Sequence, residues 1–505
     1  MDVPVKKIEN VEDIHSESAG SIDIHANGGA TPKVHFRLWP ALGMNFSVTA
    51  TPVSIGAYLS LVIGLGGFPY FFWCFVFAGF FQLVLGLVLA ELASAIPHSS
   101  GPAYWMRVLS PVKYARFLEY LVGWLTIALW GFVATGESLF LAQWSTGFAE
   151  AMNPGYRATP WQVYLISDAF ALICLILNLP GFFKIVPYIM TSAVVFINIT
   201  WIYMFIAMLV RATPKASAET VFVDIVNETG WSSDGLVFFL AFLPALISVS
   251  GFDSCMHIAD EVPAPDKDIP QVIIGSAFLS YTTGLAMIIM FGFCTVNPAG
   301  IFEPYGHQPL LNVLKDGLRS DALFCVATTA IIMTYFVSAL AVTTSWSRLY
   351  WSFARSNGLP FSSFATKLTS KEGIPVNALL VNFGIVAILN TIGIGSLTAL
   401  NSIFGSAVVF GLVSFFLGLL MAIWRGRAFL NDSRWLNLGR WGLPLQVIAL
   451  VWCAFVTVWL CFPLYLPVTP DTMNWTVVIV LGVVVLATVY YVAFGKHIKA
   501  REFYG

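Results

Sequence analysis

Long apolar runs recur along the whole chain and are separated by short polar loops. A helix of about 20 apolar residues is long enough to cross the hydrocarbon core of a bilayer. The runs therefore predict twelve transmembrane helices and no β-sheet. The expected helices, called spans 1 to 12, lie near residues 44–65, 69–94, 115–146, 161–179, 187–210, 236–259, 273–296, 322–349, 376–393, 398–424, 442–463 and 475–494.

Composition supports a membrane protein rather than a set of soluble domains. Of the 505 residues, 58% are hydrophobic and only 10% are charged, whereas soluble domains carry roughly 25% charged residues. We expect a polar, disordered tail at 1–40, a twelve-helix membrane domain at 41–495 and a second tail at 496–505. The formal charge of −2 comes with no basic patch, so we expect the lipid bilayer as a partner and no nucleic acid.

The distribution of basic residues predicts an orientation. If the spans alternate, 20 Lys and Arg residues fall on the side of the N-terminus and 5 on the other. The positive-inside rule then places both termini in the cytosol. We expect the plasma membrane, with an internal membrane as the alternative. The sequons at Asn227 and Asn474 fall on the outer side and are candidates for glycosylation.

Two of the spans are interrupted by helix-breaking residues. Span 1 carries Pro52 and Gly56 at its centre, and span 6 carries the segment 248–251, Ser-Val-Ser-Gly. Matching interruptions in two halves of a chain are typical of transporters built from inverted repeats. Spans 1–5 would then match spans 6–10, with spans 11 and 12 added. Two ordinary kinks are the alternative interpretation.

Broken helices expose backbone groups that can bind a solute. Free N–H groups near Gly56 would suit a carboxylate, and free carbonyls near 247–249 would suit an ammonium group. A zwitterionic amino acid fits between them, whereas a quaternary amine would use the carbonyls and aromatic faces. The predicted substrate contacts are Pro52, Ser54, Ile55, Gly56, Trp130, Glu137, Ile247, Ser248, Val249, Ser250, Gly251 and Phe252.

Few ionisable residues lie within the spans, and each is costly there. Asp253 and His257 are four residues apart, so on a helix they share one face. They could carry a coupling proton, or they could be a structural cap at a helix end. Glu137 in span 3 could face a cationic substrate or pair with a hydroxyl group inside the bundle.

Several stretches resemble the amino acid and choline branch of the amino acid–polyamine–organocation permeases, which includes fungal GABA and choline permeases. The resemblance covers roughly residues 40–500. It rests on AELASAIPHSSGPAYW (90–105), GFDSCMHIADEVPAPDKDIP (251–270), SRLYWSFARSNGLP (347–360), IPVNALL (374–380) and LGRWGLP (438–444). The chain departs from the family pattern at 99–101, where SSG replaces SGG, and at 260–261, where DE replaces EE.

The resemblance implies a five-plus-five inverted repeat, alternating access, and secondary, usually proton-driven, uptake of amino acids or related amines. It also implies that residues 54–56 and 248–253 line the substrate. We expect a symporter for an amino acid, GABA, choline or a polyamine, with a proton or a sodium ion as the coupling ion. An exporter or exchanger of a specialised metabolite and a non-transporting sensor are the alternatives. We expect no enzymatic activity, no cofactor and no metal.

Overall fold

The computed structural model describes residues 33–369, 373–430, 434–470 and 472–494. Over these residues the chain is helical, and the only β pairing is one isolated bridge between Leu65 and Asn227. The predicted N-terminal tail lies mostly outside the described residues, and the tail at 496–505 lies wholly outside them.

The prediction of twelve spans is confirmed for the described part of the chain. Short helices, including Pro102–Leu109 and Pro309–Leu318, lie in the connecting loops. Spans 1 to 12 run over Leu38–Gly64, Gly67–Ala95, Val112–Met152, Pro160–Leu177, Phe183–Arg211, Asp234–Glu261, Pro265–Cys294, Asp321–Arg355, Val376–Gly395, Leu397–Arg425, Gly439–Trp459 and Thr476–Phe494.

The packed structure begins earlier than the boundary at residue 41 that the sequence suggested. Span 1 starts at Leu38, and Phe36 before it is fully buried. The backbone N–H groups of His35 and Phe36 both donate to the carbonyl of Glu261 at the end of span 6. These two bonds attach the residues just before span 1 to the face of the bundle at which span 1 begins, here called the terminal face.

The spans divide into buried and peripheral helices. Over an apolar stretch of 18 residues in each span, span 1 is the most buried, with 83% of these residues inside the bundle, and span 12 is the least, with 6%. Spans 2 and 7 pack together, and span 3 contacts spans 8 and 10. Span 3 is a single helix of 41 residues, or about 60 Å at 1.5 Å per residue. The interior of the bundle is therefore formed around spans 1, 2, 3, 6, 8 and 10.

Span 1 is interrupted at Ala50, where the backbone is left-handed with φ 38°. A helix over Leu38–Thr49 ends there, and the chain turns helical again from Thr51. The sequence placed the interruption between Pro52 and Gly56, which is a few residues too late. Pro52 instead lies in the first turn of the new helix, where its missing N–H would have no partner in any case.

Span 6 is interrupted at residues 250–253. A helix over Phe242–Val249 ends before an extended Ser250, and Gly251 follows with φ 86°. A 3-10 helix over Ser254–Glu261 completes the span. A positive φ of this size suits glycine, which has no Cβ to clash with the backbone.

Candidate functional site

A cavity with an empty volume of about 810 Å³ lies between the two interrupted spans. Most of the lining is apolar or aromatic, with a few polar side chains. The lining includes Ser54 and Tyr58 of span 1, Gln82 of span 2, Trp130, Glu137 and Phe140 of span 3, Ile247 and Ser250–Asp253 of span 6, Tyr335 of span 8, and Phe404–Phe415 of span 10 in part.

Two acidic side chains face this cavity, and no Lys, Arg or His is among the described residues that line it. Glu137 is 7% exposed and Asp253 is 1% exposed. Glu137 Oε2 and both carboxyl oxygens of Asp253 have no hydrogen-bond partner within the described part of the chain. A carboxylate taken out of water without a partner is costly. The cavity is therefore suited to an occupant that supplies positive charge or a hydrogen-bond donor.

Aromatic rings surround the Glu137 end of the cavity. Phe140 contacts three of them edge-to-face, with centroid distances of 6.3 Å to Tyr58, 5.8 Å to Tyr335 and 5.1 Å to Phe404. The face of an aromatic ring attracts cations, including quaternary ammonium groups. Rings and a carboxylate at one end of a cavity form a chemical environment for an organic cation.

Of the predicted substrate contacts, Ser54, Trp130, Glu137, Ile247, Ser250, Gly251 and Phe252 line the cavity. The cavity lining does not include Pro52, Ile55, Gly56, Ser248 and Val249. These five lie in helical segments that pack against neighbouring helices. A Cβ placed on Gly56 would lie 2.5 Å from the Leu310 side chain, and the hydroxyl of Ser248 donates to the Pro244 carbonyl at 2.7 Å.

Side chains satisfy backbone groups at both interruptions. The hydroxyl of Thr51 donates to the Ser248 carbonyl, and that of Ser338 donates to the Val48 carbonyl at 3.3 Å. Asn45 accepts hydrogen bonds from the Ser254 hydroxyl and the Cys255 N–H, at 2.7 and 3.1 Å. The backbone groups that the sequence suggested as free for a solute are thus partly engaged by the protein. Among the described residues that line the cavity, Glu137 and Asp253 are the ones with an acidic side chain.

A second polar group lies between Asp253 and the terminal face. His257 Nε2 is 3.9 Å from Asp253 Oδ2, and the ring contacts Trp130 edge-to-face at 5.6 Å. Beyond His257, Arg348 and Glu261 form a buried ion pair at 2.9 Å. The two predicted proton carriers are therefore neighbours, with only Asp253 lining the large cavity.

The opposite end of the cavity region is covered by the loop between spans 7 and 8. Gln308 donates to Gln143 of span 3 at 2.7 Å, and the Gly306 N–H donates to Glu150 at 3.0 Å. Gly306 has φ 55°, and a Cβ there would lie 2.3 Å from the Gln143 carbonyl oxygen. Only glycine fits this contact between the loop and span 3.

Both sequon asparagines make hydrogen bonds with their side-chain amides. Asn227 donates to the Trp231 carbonyl and to Asp234, each at 3.0 Å. Asn474 donates to the carbonyls of Leu460 and Phe462, each at 2.8 Å. Glycosylation at these sites stays a prediction, and a glycan on the folded protein would compete with these bonds.

Sequence reasoning missed several residues of the cavity. Tyr58, Gln82 and Tyr335 line it, together with Phe140 and Phe404. Gln82 carried a usable signal, because it is a polar residue within the apolar run FFQLVLG. The aromatic residues carried none, because the chain contains 42 Phe and 17 Tyr and most of them pack against other helices or lipid.

Known proteins match this chain over most of its length. Residues 36–485 match the family model described as amino acid permease. The choline transporter of Saccharomyces cerevisiae is 27% identical over 99% of this chain and 87% of its own length. An uncharacterised amino-acid permease of Schizosaccharomyces pombe is 30% identical over 96% and 91%. A putative polyamine transporter of Candida albicans is 25% identical over 91% and 84%.

Proposed function

Because the chain belongs to the amino acid permease family and is a multi-pass membrane transporter, we propose that it carries small organic cations by proton-coupled symport. The observation behind this proposal is the cavity with two carboxyl groups and several aromatic rings but no basic side chain in its described lining. Alternating access at the two interrupted spans would expose this cavity to each side in turn.

The charge of the lining favours an amine without a carboxylate over a zwitterionic amino acid. The carboxylate of an amino acid would meet the Glu137 carboxylate, and no basic side chain among the described lining residues would offset the repulsion. A choline-like cation or a polyamine avoids this repulsion, and the names of two relatives include these substrates. A cation held by the Glu137 carboxylate and the rings of Tyr58 and Tyr335 is the arrangement that the geometry supports best.

The direct test is uptake of labelled choline, spermidine, GABA and a neutral amino acid into cells that express the chain. Each substrate is measured at two external pH values, with sodium present or replaced. We expect choline or spermidine to be taken up and external acidification to increase the rate. An uptake rate that depends on sodium and does not change with external pH would contradict the proposal that the proton is the coupling ion. Uptake of only the neutral amino acid would contradict the cationic substrate.

We also propose that both termini are cytosolic and that the protein resides in the plasma membrane. The support is the excess of basic residues on the side of the termini, 20 against 5, and the even number of spans. An epitope tag placed in the loop near Asp316 should be accessible to antibody on intact cells, whereas a C-terminal tag should require permeabilisation. The reverse pattern would contradict this orientation.

A further inference from the structure

A smaller cavity, with an empty volume of about 230 Å³, lies beside His257 on the side of the terminal face. It is separate from the large cavity between the two interrupted spans, here called the substrate cavity, and is lined by both polar and apolar groups. Its polar lining consists of Ser99, His257, Asp260, Glu261 and Arg348. Buried water binds where it has two to four polar partners, and this lining offers at least that many polar groups.

Several buried polar atoms between and beside the two cavities have no hydrogen-bond partner among the described residues. They are the two carboxyl oxygens of Asp253, Nε2 of His257, Oε2 of Glu261 and Nη2 of Arg348, all buried. Buried polar groups in proteins are nearly always hydrogen-bonded to protein or water. Such a group of acceptors and donors next to a small cavity therefore points to water or to a mobile proton.

The Ser99 carbonyl determines which nitrogen of the neutral His257 ring carries the hydrogen. His257 Nδ1 lies 3.0 Å from this carbonyl oxygen. A carbonyl can only accept a hydrogen bond, so Nδ1 must carry the hydrogen and donate it. In the neutral ring Nε2 is then the unprotonated nitrogen, and it is the atom 3.9 Å from Asp253 Oδ2.

We propose that His257 relays the coupling proton from Asp253 to water in the smaller cavity, by a route that the substrate does not share. The inference rests on the proposed proton symport. The Asp253 carboxylic acid loses its proton to the Nε2 lone pair, which leaves a carboxylate and an imidazolium. The imidazolium then gives its Nδ1 hydrogen, on the side of the Ser99 carbonyl, to water in the smaller cavity, and the ring is left neutral with a hydrogen on Nε2. The tautomer with its hydrogen on Nδ1 is restored through water before the next cycle. Hydronium leaves toward the terminal face.

The gap between the two groups links this transfer to substrate occupancy. At 3.9 Å the atoms lie beyond the range of about 2.6–3.2 Å that proton transfer needs. Asp253 follows Gly251 in the non-helical loop of span 6, and this loop lines the substrate cavity. A cation that enters the cavity and displaces the loop changes the distance between Asp253 and His257.

Among the described residues, the charged groups that face His257 or the smaller cavity come from spans 6 and 8. Asp253, Asp260 and Glu261 lie on its own segment, and Arg348 reaches the smaller cavity from span 8 in its ion pair with Glu261. Trp130 packs against the ring from span 3. The loop before span 3 carries His98, outside the spans.

Loss of hydration lowers the pKa of His98 to about 4, and its Nδ1 accepts a hydrogen bond from the Ser100 N–H. His98 is therefore neutral near pH 7. It does not compete with His257 for the proton.

The test uses the purified full chain in liposomes that enclose a pH-sensitive dye, with choline or spermidine as the substrate. Three readouts are compared: accumulation driven by an inward proton gradient, proton entry on addition of substrate, and exchange of labelled for unlabelled substrate at equal pH. We expect H257Q to lose accumulation and proton entry at least tenfold while exchange stays within about twofold. Exchange needs no net release of protons, so a relay residue is dispensable for it.

His307→Asn is the matched control. His307 is exposed, lies in the loop between spans 7 and 8, and has φ 62°, a conformation that asparagine tolerates. It should behave as the wild type in all three readouts. Binding of substrate to detergent-solubilised H257Q shows that the variant is folded.

The outcomes separate this inference from the proposed function. H257Q that accumulates substrate as the wild type does would overturn the relay, as would H257Q that binds substrate but loses exchange and accumulation together. A wild-type protein that shows no proton-driven accumulation would instead refute the proposed symport itself.

Discussion

Glu137 is buried inside the bundle, and the described residues that line the cavity beside it include no basic side chain. Its position on span 3 brings the carboxylate to the cavity, which the rings of Phe140 and Tyr335 also line. Coulomb interactions are stronger in such a low-dielectric environment than in water. A single cationic group can therefore gain both from the carboxylate and from the rings, and this residue dominates the proposed recognition.

We predict that Glu137→Gln raises the KM for a cationic substrate about 10–100-fold, since a charge-assisted hydrogen bond contributes about 1.5–3 kcal/mol. Initial uptake rates over a range of substrate concentrations measure the change. Glu119→Gln is the matched control, because Glu119 is also buried on span 3 but does not line the cavity. Equal KM values for Glu137→Gln and the wild type would remove Glu137 from the site.

The residues of the site were predictable to different degrees. Glu137 and Asp253 stood out in the sequence because a charge in an apolar span is energetically costly and usually has a function. Tyr58 and Tyr335 did not, since a tyrosine in a helix faces the cavity, a neighbour or lipid with no difference in local pattern. Tertiary packing determines which face of each helix turns inward. The local pattern of a single sequence does not reveal that face.

At the scale of elements, the loop at 250–253 determines the shape of the cavity at span 6. Gly251 has φ 86°, and a Cβ there would lie 3.0 Å from the Val48 side chain of span 1. The two interrupted spans thus approach each other closely at the glycine. The interruption of span 6 was readable from its sequence, whereas that of span 1 lies at Ala50, a residue with no helix-breaking character.

We predict that Gly251→Ala lowers uptake at least tenfold without lowering the amount of protein in the membrane by more than about half. The left-handed conformation costs a residue with a Cβ roughly 1–2 kcal/mol, and the added methyl presses on span 1. The measurement is the uptake rate divided by the amount of the protein in the membrane. Gly384→Ala is the control, because nothing lies within 4 Å of a Cβ at that helical position. Normal uptake by Gly251→Ala would argue against a close approach of the two spans.

The loop between spans 2 and 3 gives a prediction on pH. Because the pKa of His98 is about 4 in the fold and about 6.5 in an unfolded chain, the unfolded chain binds more protons between these values. Stability is therefore lost as the pH falls from about 6.5 toward 4. Thermal unfolding in detergent at pH 7 and pH 5 should show a smaller loss for His98→Asn than for the wild type. An equal loss would mean that other groups determine the acid sensitivity.

At the scale of the molecule, one buried carboxylate joins parts of the chain that are more than 300 residues apart. Glu91 near the end of span 2 is fully buried. It accepts hydrogen bonds from Arg427 at 2.6 and 2.8 Å, and from Arg434 at 3.1 Å. The Leu438 N–H also donates to it, at 2.9 Å. The segment after span 10 is thereby attached to span 2 at the terminal face.

We predict that Glu91→Gln lowers the free energy of unfolding by about 3–5 kcal/mol, because breaking a buried ion pair leaves an uncompensated buried charge. The melting temperature of the purified protein in detergent reports the change. Glu219→Gln, in an exposed short helix, should leave it nearly unchanged. A melting temperature for Glu91→Gln within the range of that control would show that the cluster contributes little.

Span 3 offers a common reference for observing the transport cycle. At about 60 Å, its single helix is roughly twice as long as the hydrocarbon core is thick. It carries Trp130 and Glu137 at the cavity, and Gln143 and Glu150 at the loop over the opposite end. A spectroscopic label on span 3 would therefore give a common origin for distances to both ends. Paired with labels on spans 1 and 6, it would resolve the opening of each side as a separate change in distance.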